Sequence, residues 1–435
     1  MGAHLISFWL DSCGEPLTPR PPLPGAHAAD VAIVGAGYTG LWTAYYLARR
    51  DPTLRIVVLE KEIAGFGASG RNGGWCSALF PTSANPAMRA ALVDAVADVG
   101  RWCTAEGVDA HYVRGGMLSL ARTSAQATRL RAHPDTTWLP AKDVASRVQA
   151  TGVLGAAYDP ECAALHPARL VRGLARVVAS HGVDIYERTE VTGIAPGRVD
   201  TVAGTVRADV VVRAAEAWTA TLPGSRRDIA PVYSLVIATE PLPASVWDQI
   251  GWAGRETVTD GRHLIVYAQR TADDRIVFGG RGAPYHFGSR IGPAYDRVPQ
   301  VFGALRSAMV DLWPAVKDAT VTHQWGGPLG VPRDFHPSVG FNRSSGLAWA
   351  GGYVGDGVAA SNLAGRTLAD LITDNDSALV HLPWVGHRSR RWEPEPLRWL
   401  GVNGVRWLAS SVDSADARGR RAPVRARLLD RLTGG

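Results

Sequence analysis

Three glycines and one acid carry the strongest chemical signal in the chain. Gly35-Ala36-Gly37-Tyr38-Thr39-Gly40 follows an apolar run, Asp30-Val31-Ala32-Ile33-Val34. It precedes a segment, 41–48, whose apolar residues recur at helical spacing. Glu60 comes 20 residues after Gly40, at the end of a second apolar run, Arg55-Ile56-Val57-Val58-Leu59. The order is strand, glycine turn, helix, strand, acid. A pyrophosphate needs that order. The first glycine allows the tight turn, the second lets phosphate approach the main chain, and the third lets helix and strand pack closely. The helix start offers free N–H groups and a partial positive charge. The acid accepts hydrogen bonds from both ribose hydroxyls, which argues against the 2′-phosphate of NADP. The pattern predicts a dinucleotide site built from Gly35, Ala36, Gly37, Tyr38, Thr39, Gly40 and Glu60.

The next segment separates FAD from NAD. An NAD domain continues into another helix. Here the chain runs Lys61-Glu62-Ile63-Ala64-Gly65-Phe66-Gly67-Ala68-Ser69-Gly70-Arg71-Asn72-Gly73-Gly74-Trp75, a loop rich in glycine and hydroxyl groups that suits a longer cofactor. With this loop the sequence resembles the D-amino-acid oxidase-like superfamily of FAD-dependent amine oxidoreductases, and most of all its gamma-glutamylputrescine oxidoreductase branch. The resemblance implies cofactor contacts at Lys61, Ser69, Arg71, Asn72, Gly73 and Gly74. It places the main chain of Val191 at the adenine. It also brings Ala215 and Trp218 near the cofactor, in a stretch where relatives commonly show N-A/T-x-G-x-W/Y. Arg213 and Glu216 depart from that pattern. A second glycine turn, Gly351-Gly352-Tyr353-Val354-Gly355-Asp356-Gly357-Val358, leads into a helix expected over 359–372. Gly352, Gly355, Asp356, Gly357 and Val358 would bring that helix's positive end to the flavin's N1/C2=O edge, where reduced flavin is negative.

These motifs need a scaffold with α/β architecture and two domains. The expected Rossmann-like FAD-binding domain is assembled from residues 28–90, 160–225 and 321–380. An antiparallel-sheet substrate domain takes 91–159 and 226–320, and residues 381–435 form a basic helical tail. Strands of period 2 are expected at 231–239, 263–268 and 275–280. By resemblance, Arg281 faces substrate and could clamp a carboxylate or phosphonate. Tyr233, Tyr285 and His286 are the other pocket residues expected. His166 reads as a helix-start cap. Arg333-Asp334 stands where relatives more often carry T-x-D.

The implied chemistry is oxidation of a C–N bond in a small amine or amino acid, with oxygen or another acceptor reoxidising the flavin. Alternatives on the same scaffold are a hydroxy-acid or alcohol dehydrogenase, or a flavoprotein subunit that needs a partner. Some relatives attach FAD through a late cysteine or a histidine in the glycine-rich loop. This chain has no cysteine after Cys162 and no histidine between His27 and His111, so non-covalent FAD is expected.

Composition fits this reading. The chain has 435 residues, 46% apolar and 20% charged, which excludes a disordered, coiled-coil or collagen-like protein. No membrane span and no signal peptide are expected. Cys13, Cys76, Cys103 and Cys162 lack metal or disulfide spacing, so no metal site and a cytoplasmic, reducing setting are expected. Residues 385–435 hold 11 arginines and 5 acids, and therefore the whole net charge of +6. Those arginines are interleaved with Trp, Leu and acids rather than clustered. They predict a packed tail and no nucleic-acid partner.

Overall fold

The computed structural model describes residues 6–80, 85–280, 282, 284–419 and 423–433. Two large sheets organise it. The first runs Ser338–Asn342, Leu347–Gly351, Gly204–Arg213, His27–Val34, Ile56–Leu59, Asp184–Tyr186 across its width. All neighbours are parallel except the Ser338–Asn342 edge strand. A hairpin, Val191–Ala195 and Arg198–Thr201, extends from Gly204–Arg213. The inner strands are buried on both faces, which explains their unbroken apolar runs. Helices Tyr38–Arg50, Pro167–Ser180 and Gly357–Ile372 cover one face and share one core with it. Two of these helices touch closely: a Cβ on Gly365 would lie 2.6 Å from Cβ of Trp42.

The second sheet runs Val321–Val331, Ala230–Thr239, Ile276–Gly280, Val266–Arg270, Thr257–Asp260, Met117–Ala121, Gly155–Asp159, Thr137–Pro140. Its pairs are antiparallel except Thr257–Asp260 with Met117–Ala121, which joins the two separate stretches of chain. One face packs on helix Pro299–Leu312. The other meets the N-terminal arm, where Phe8, Trp9 and Leu10 are buried against Val236, Ala238, Val277 and Trp325.

The structure redraws several expected boundaries. Val321–Val331, grouped with the first unit from sequence, pairs along Ala230–Thr239 and belongs to the second sheet. Helix Pro86–Ala105, grouped mostly with the second, packs Leu92, Val96, Val99 and Trp102 into the first core. The strand expected from His263 begins at Val266. In the tail, helix Leu397–Ala417 runs on through the polar residues from Ser410. Its acids explain this: Asp413 accepts from the main chain of His263 and Leu264, and Asp416 pairs with Arg129, so the polar residues face the body. No described helix is long and apolar enough to cross a membrane.

Candidate functional site

The first cavity lies beyond the carboxyl ends of the parallel strands, where open α/β sheets bind ligands. It runs from Glu60 past Gly35, Gly37 and Thr39 to Gly355, Gly357 and Val358. Gly35 has φ +109°, and a Cβ there would stand 2.6 Å from the Ala214 carbonyl oxygen. A Cβ on Gly40 would meet the Gly35 carbonyl at 2.0 Å, which fixes the helix start against the turn. Ala36 and Gly40 therefore shape the turn from behind the cavity. The Tyr38 N–H donates to Ser69 Oγ at 2.9 Å, while the Tyr38 hydroxyl donates into the core at Pro167. Only the main chain of Tyr38 is turned to the ligand side.

Glu60 is anchored at both oxygens. Its Oε2 accepts from Ala36 N–H and its Oε1 from Glu62 N–H, each at 2.9 Å. Burial pushes the carboxyl up to about 7, against the pull of these N–H groups. Lys61 pairs with Glu190 at 2.7 Å beside Val191 on the cavity rim. Ala215 and Trp218 complete the opposite wall. Two helix N-termini thus face one elongated cavity, with an acid at one end. A molecule with a ribose and a pyrophosphate matches that donor set, and the residues fit FAD.

The loop from Ala68 to Gly74 is held by the chain around it. Asn72 Nδ2 donates to Ala68 and Ser69 carbonyls, and its Oδ1 accepts from Gly74 N–H at 2.7 Å. Three successive carbonyls each receive a buried side-chain donor: Gly70 from Ser7 Oγ, Arg71 from Trp325 Nε1, Asn72 from Trp9 Nε1. Arg71 itself is turned from the first cavity toward the second sheet. It pairs with Asp296 at 2.9 Å, donates to the Gly326 carbonyl and lies over the Phe66 ring. Gly73 and Gly74 admit the second sheet, since Cβ atoms there would strike the Tyr267 ring and Gln269 Nε2.

A second cavity opens beside the first. Ala68, Asn72, Leu329, Gly355 and Val358 line both. Its own walls are Arg71, Gly73, Trp75, Ser77, Ser234, Val236, Ile265, Tyr267 and Asp356. Ser234 Oγ and the Tyr267 hydroxyl are 2.9 Å apart. Gly352 lies on a third cleft, behind the sheet, with Arg213, His336 and His387.

Of the pocket residues expected from sequence, Tyr233, Tyr285 and His286 do not line the second cavity. Tyr233 is 1% exposed, packs with Leu235, Ile237 and Phe278, and its hydroxyl accepts from Gly292 N–H. Side chains alternate along a strand, so Ser234 and Val236 take the cavity face while Tyr233 takes the core face. Tyr285 is equally buried and donates to Glu395 at the root of the tail. His286 stacks on Tyr295 at 3.6 Å between ring centres. Arg281 falls outside the described residues. His166 is the N-cap of Pro167–Ser180, its Nδ1 accepting from Arg169 N–H. Arg333 pairs with Glu393, and Asp334 accepts from Ser389 and faces His387. Trp75, Ser234 and Tyr267 were missed, although each stands in a segment the sequence singled out. The alternation of Ile265 and Tyr267 with buried Val266 and Ala268 was the available signal.

Glu216 was noted only as a departure. It sits at the end of Gly204–Arg213 with φ +45°, a conformation costly for a side chain with Cβ. Its Oε2 accepts from Gly330 N–H at 2.6 Å and its Oε1 from Tyr353 N–H at 3.3 Å.

Comparison with known proteins agrees with this geometry. The profile of the DAO family, described as FAD dependent oxidoreductase, matches residues 30–371. The gamma-glutamylputrescine oxidoreductase of Escherichia coli K12 is 28% identical over 425 residues, covering 90% of this chain and 96% of its own. The glycine oxidase of Geobacillus kaustophilus is 30% identical over 385 residues, 82% of this chain and 96% of its own. A crystal structure of glycine oxidase from that organism superposes with a TM-score of 0.72 at 25% identity, over 84% of this chain and all of the other. From the glycine turn to the second helix N-terminus, the chain belongs to the DAO family of FAD-dependent oxidoreductases.

Proposed function

We propose that the protein oxidises the C–N bond of a small amine or amino acid. The observation that carries this reading is the second cavity, which shares a wall with the cofactor cavity along Asn72, Leu329, Gly355 and Val358. FAD held in the first cavity would supply the hydride acceptor, so that a substrate in the second cavity would be converted to an imine, which water hydrolyses to a carbonyl compound and an amine or ammonia. The chain's own part is binding and orientation. Trp75, Ile265, Val236 and Leu329 exclude water from the reacting carbon. Ser234 and Tyr267 offer hydroxyls to the nitrogen. No general base is assigned, because an amine bound neutral needs none. The cofactor contacts are Gly35, Gly37, Thr39, Glu60, Lys61, Ser69, Asn72, Val191, Ala215, Trp218, Gly355, Gly357 and Val358, with FAD held non-covalently. Oxygen or another acceptor then removes the electrons. The four buried free thiols suit a cytoplasmic setting.

The test is anaerobic bleaching of the flavin by a panel of amines, amino acids and hydroxy acids. Bleaching by amines or amino acids alone supports the reading. Bleaching by hydroxy acids alone makes the protein a hydroxy-acid dehydrogenase, and bleaching by none makes it a partner-dependent subunit. Acid precipitation is expected to release the flavin to the supernatant; flavin fluorescence on the denatured band would refute non-covalent binding.

A further inference from the structure

Glu216 is a partly buried carboxylate that the reading above does not use. It stands between two spaces. On one side it lines the cofactor cavity with Ala215, Trp218, Leu329, Tyr353 and Gly355; on the other it closes the third cleft. Three chain segments meet on its carboxylate: its own turn, Gly330 of the second sheet and Tyr353 before the second cofactor helix. The neighbouring sequence makes room for it. A Cβ on Gly330 would lie 2.3 Å from Glu216 Oε2, so the carboxylate fills the place of the side chain that glycine lacks. A left-handed backbone at a residue other than glycine persists only where the surroundings determine it, and such strain gathers at functional sites.

We propose that Glu216 is a positioning residue that couples reduction of the bound flavin to uptake of a proton. Reduction by two electrons and one proton leaves the flavin anionic. A carboxylate lining the same cavity opposes that charge, and a carboxyl group does not. Adding electrons therefore draws a second proton onto Glu216. Burial already pushes its carboxyl up to about 7, against the main-chain N–H groups that favour the ionised form. The group is thus balanced to change state near neutral pH. Other charges face it from the packed elements. In the third cleft these are Arg213 with its partner Asp228, His336, His387, Arg388 and Arg391; the cofactor cavity is also lined by Glu60, Lys61, Glu62 and Glu190, and by Tyr353, whose hydroxyl is bonded to Thr39.

The experiment is the midpoint potential of the FAD-loaded protein against pH, measured with a dye and a reductant in solution, for wild type, Glu216→Gln and Glu216→Gly. No amine is used, so the outcome stands apart from the substrate question. Wild type is expected to show a steeper segment around pH 7 (about 7, as burial sets it). One extra proton per two electrons changes the equilibrium tenfold per pH unit, which is about 30 mV. Both variants are expected to lose that segment and to be more easily reduced than wild type only on the alkaline side. Glycine suits the left-handed backbone, so Glu216→Gly guards against loss of folding. Parallel lines for all three proteins, or a shift equal at every pH, would make Glu216 a structural clasp and overturn the proposal.

Discussion

The two cavities share one wall, and beyond it they are lined by different parts of the chain. The first is shaped by glycine turns, two helix N-termini and two acids, Glu60 and Glu216, whose oxygens are themselves tied to main-chain N–H groups. The second is lined by side chains from the second sheet, from the glycine-rich loop and the short strand after it, and from the turn into helix Gly357–Ile372. A main-chain wall is specified by where side chains must be missing, so it leaves a motif. A side-chain wall is specified by strand parity and by contacts between distant segments, so it leaves almost none.

The strongest way to break that contrast is a side chain in the first wall. Gly40→Val puts a branched Cβ where the Gly35 carbonyl stands 2.0 Å away. Main chain cannot yield cheaply, and overpacking of this kind costs roughly 1–3 kcal/mol or more. The purified variant is expected to lack the flavin absorbance band altogether; a fully loaded yellow protein would show that the third glycine is dispensable. Next in size is a pair of neighbours on one strand. Ser234→Phe fills the second cavity and is expected to keep FAD while slowing anaerobic bleaching by on the order of 100-fold, as displaced reactants do. Tyr233→Phe removes only a core hydroxyl that accepts from Gly292, costing about 1 kcal/mol in thermal unfolding with bleaching unchanged. Reversed outcomes would place the substrate on the other face of the sheet.

A smaller effect is expected at the arm. Trp9→Phe keeps the ring in its buried place but leaves the Asn72 carbonyl without its donor. An orphaned buried acceptor costs about 1–3 kcal/mol, and FAD should dissociate faster from the loosened loop. Unchanged flavin dissociation would confine the arm to packing. The pH dependence of the apoprotein is subtler. Glu60 and Glu216 are both raised to about 7 by burial, so the fold prefers them protonated. Their contribution is fully present below the ordinary carboxyl value and is lost as pH rises through about 7. The apoprotein's melting temperature should fall over that window, and Glu60→Gln should flatten the fall; a rise with pH would contradict the assignment. The smallest effect belongs to the tail. Arg391→Ala removes an exposed arginine 3.5 Å from Asp228 and should change stability by about 0.5 kcal/mol or less, with bleaching unaffected.

How much could be read in advance follows the same division. The turn at Gly35–Gly40, the acid at Glu60 and the second turn at Gly355–Val358 were legible, because a tight turn, a phosphate approach and a helix start each demand a residue type at a set spacing. Arg71 was legible as important but not in its direction: its partner, Asp296, is far along the chain, and only the packed loop turns the guanidinium away from the phosphates. The N-terminal arm carried no motif, since donors to the Asn72 and Gly70 carbonyls need only arrive at the right place. Tyr233 and Ser234 differ by one step of a strand, and which of them meets the cavity is decided by register against Val321–Val331.

The amino-acid sequence by itself determined the cofactor, the order of the sheet-forming segments and the neutral body with its basic tail. These follow from local geometry and composition. The tertiary structure alone decided the second cavity, the pinning of the glycine-rich loop and the placement of Glu216 between three segments. Those depend on which distant residues share a wall, and spacing along the chain does not encode distance across a sheet.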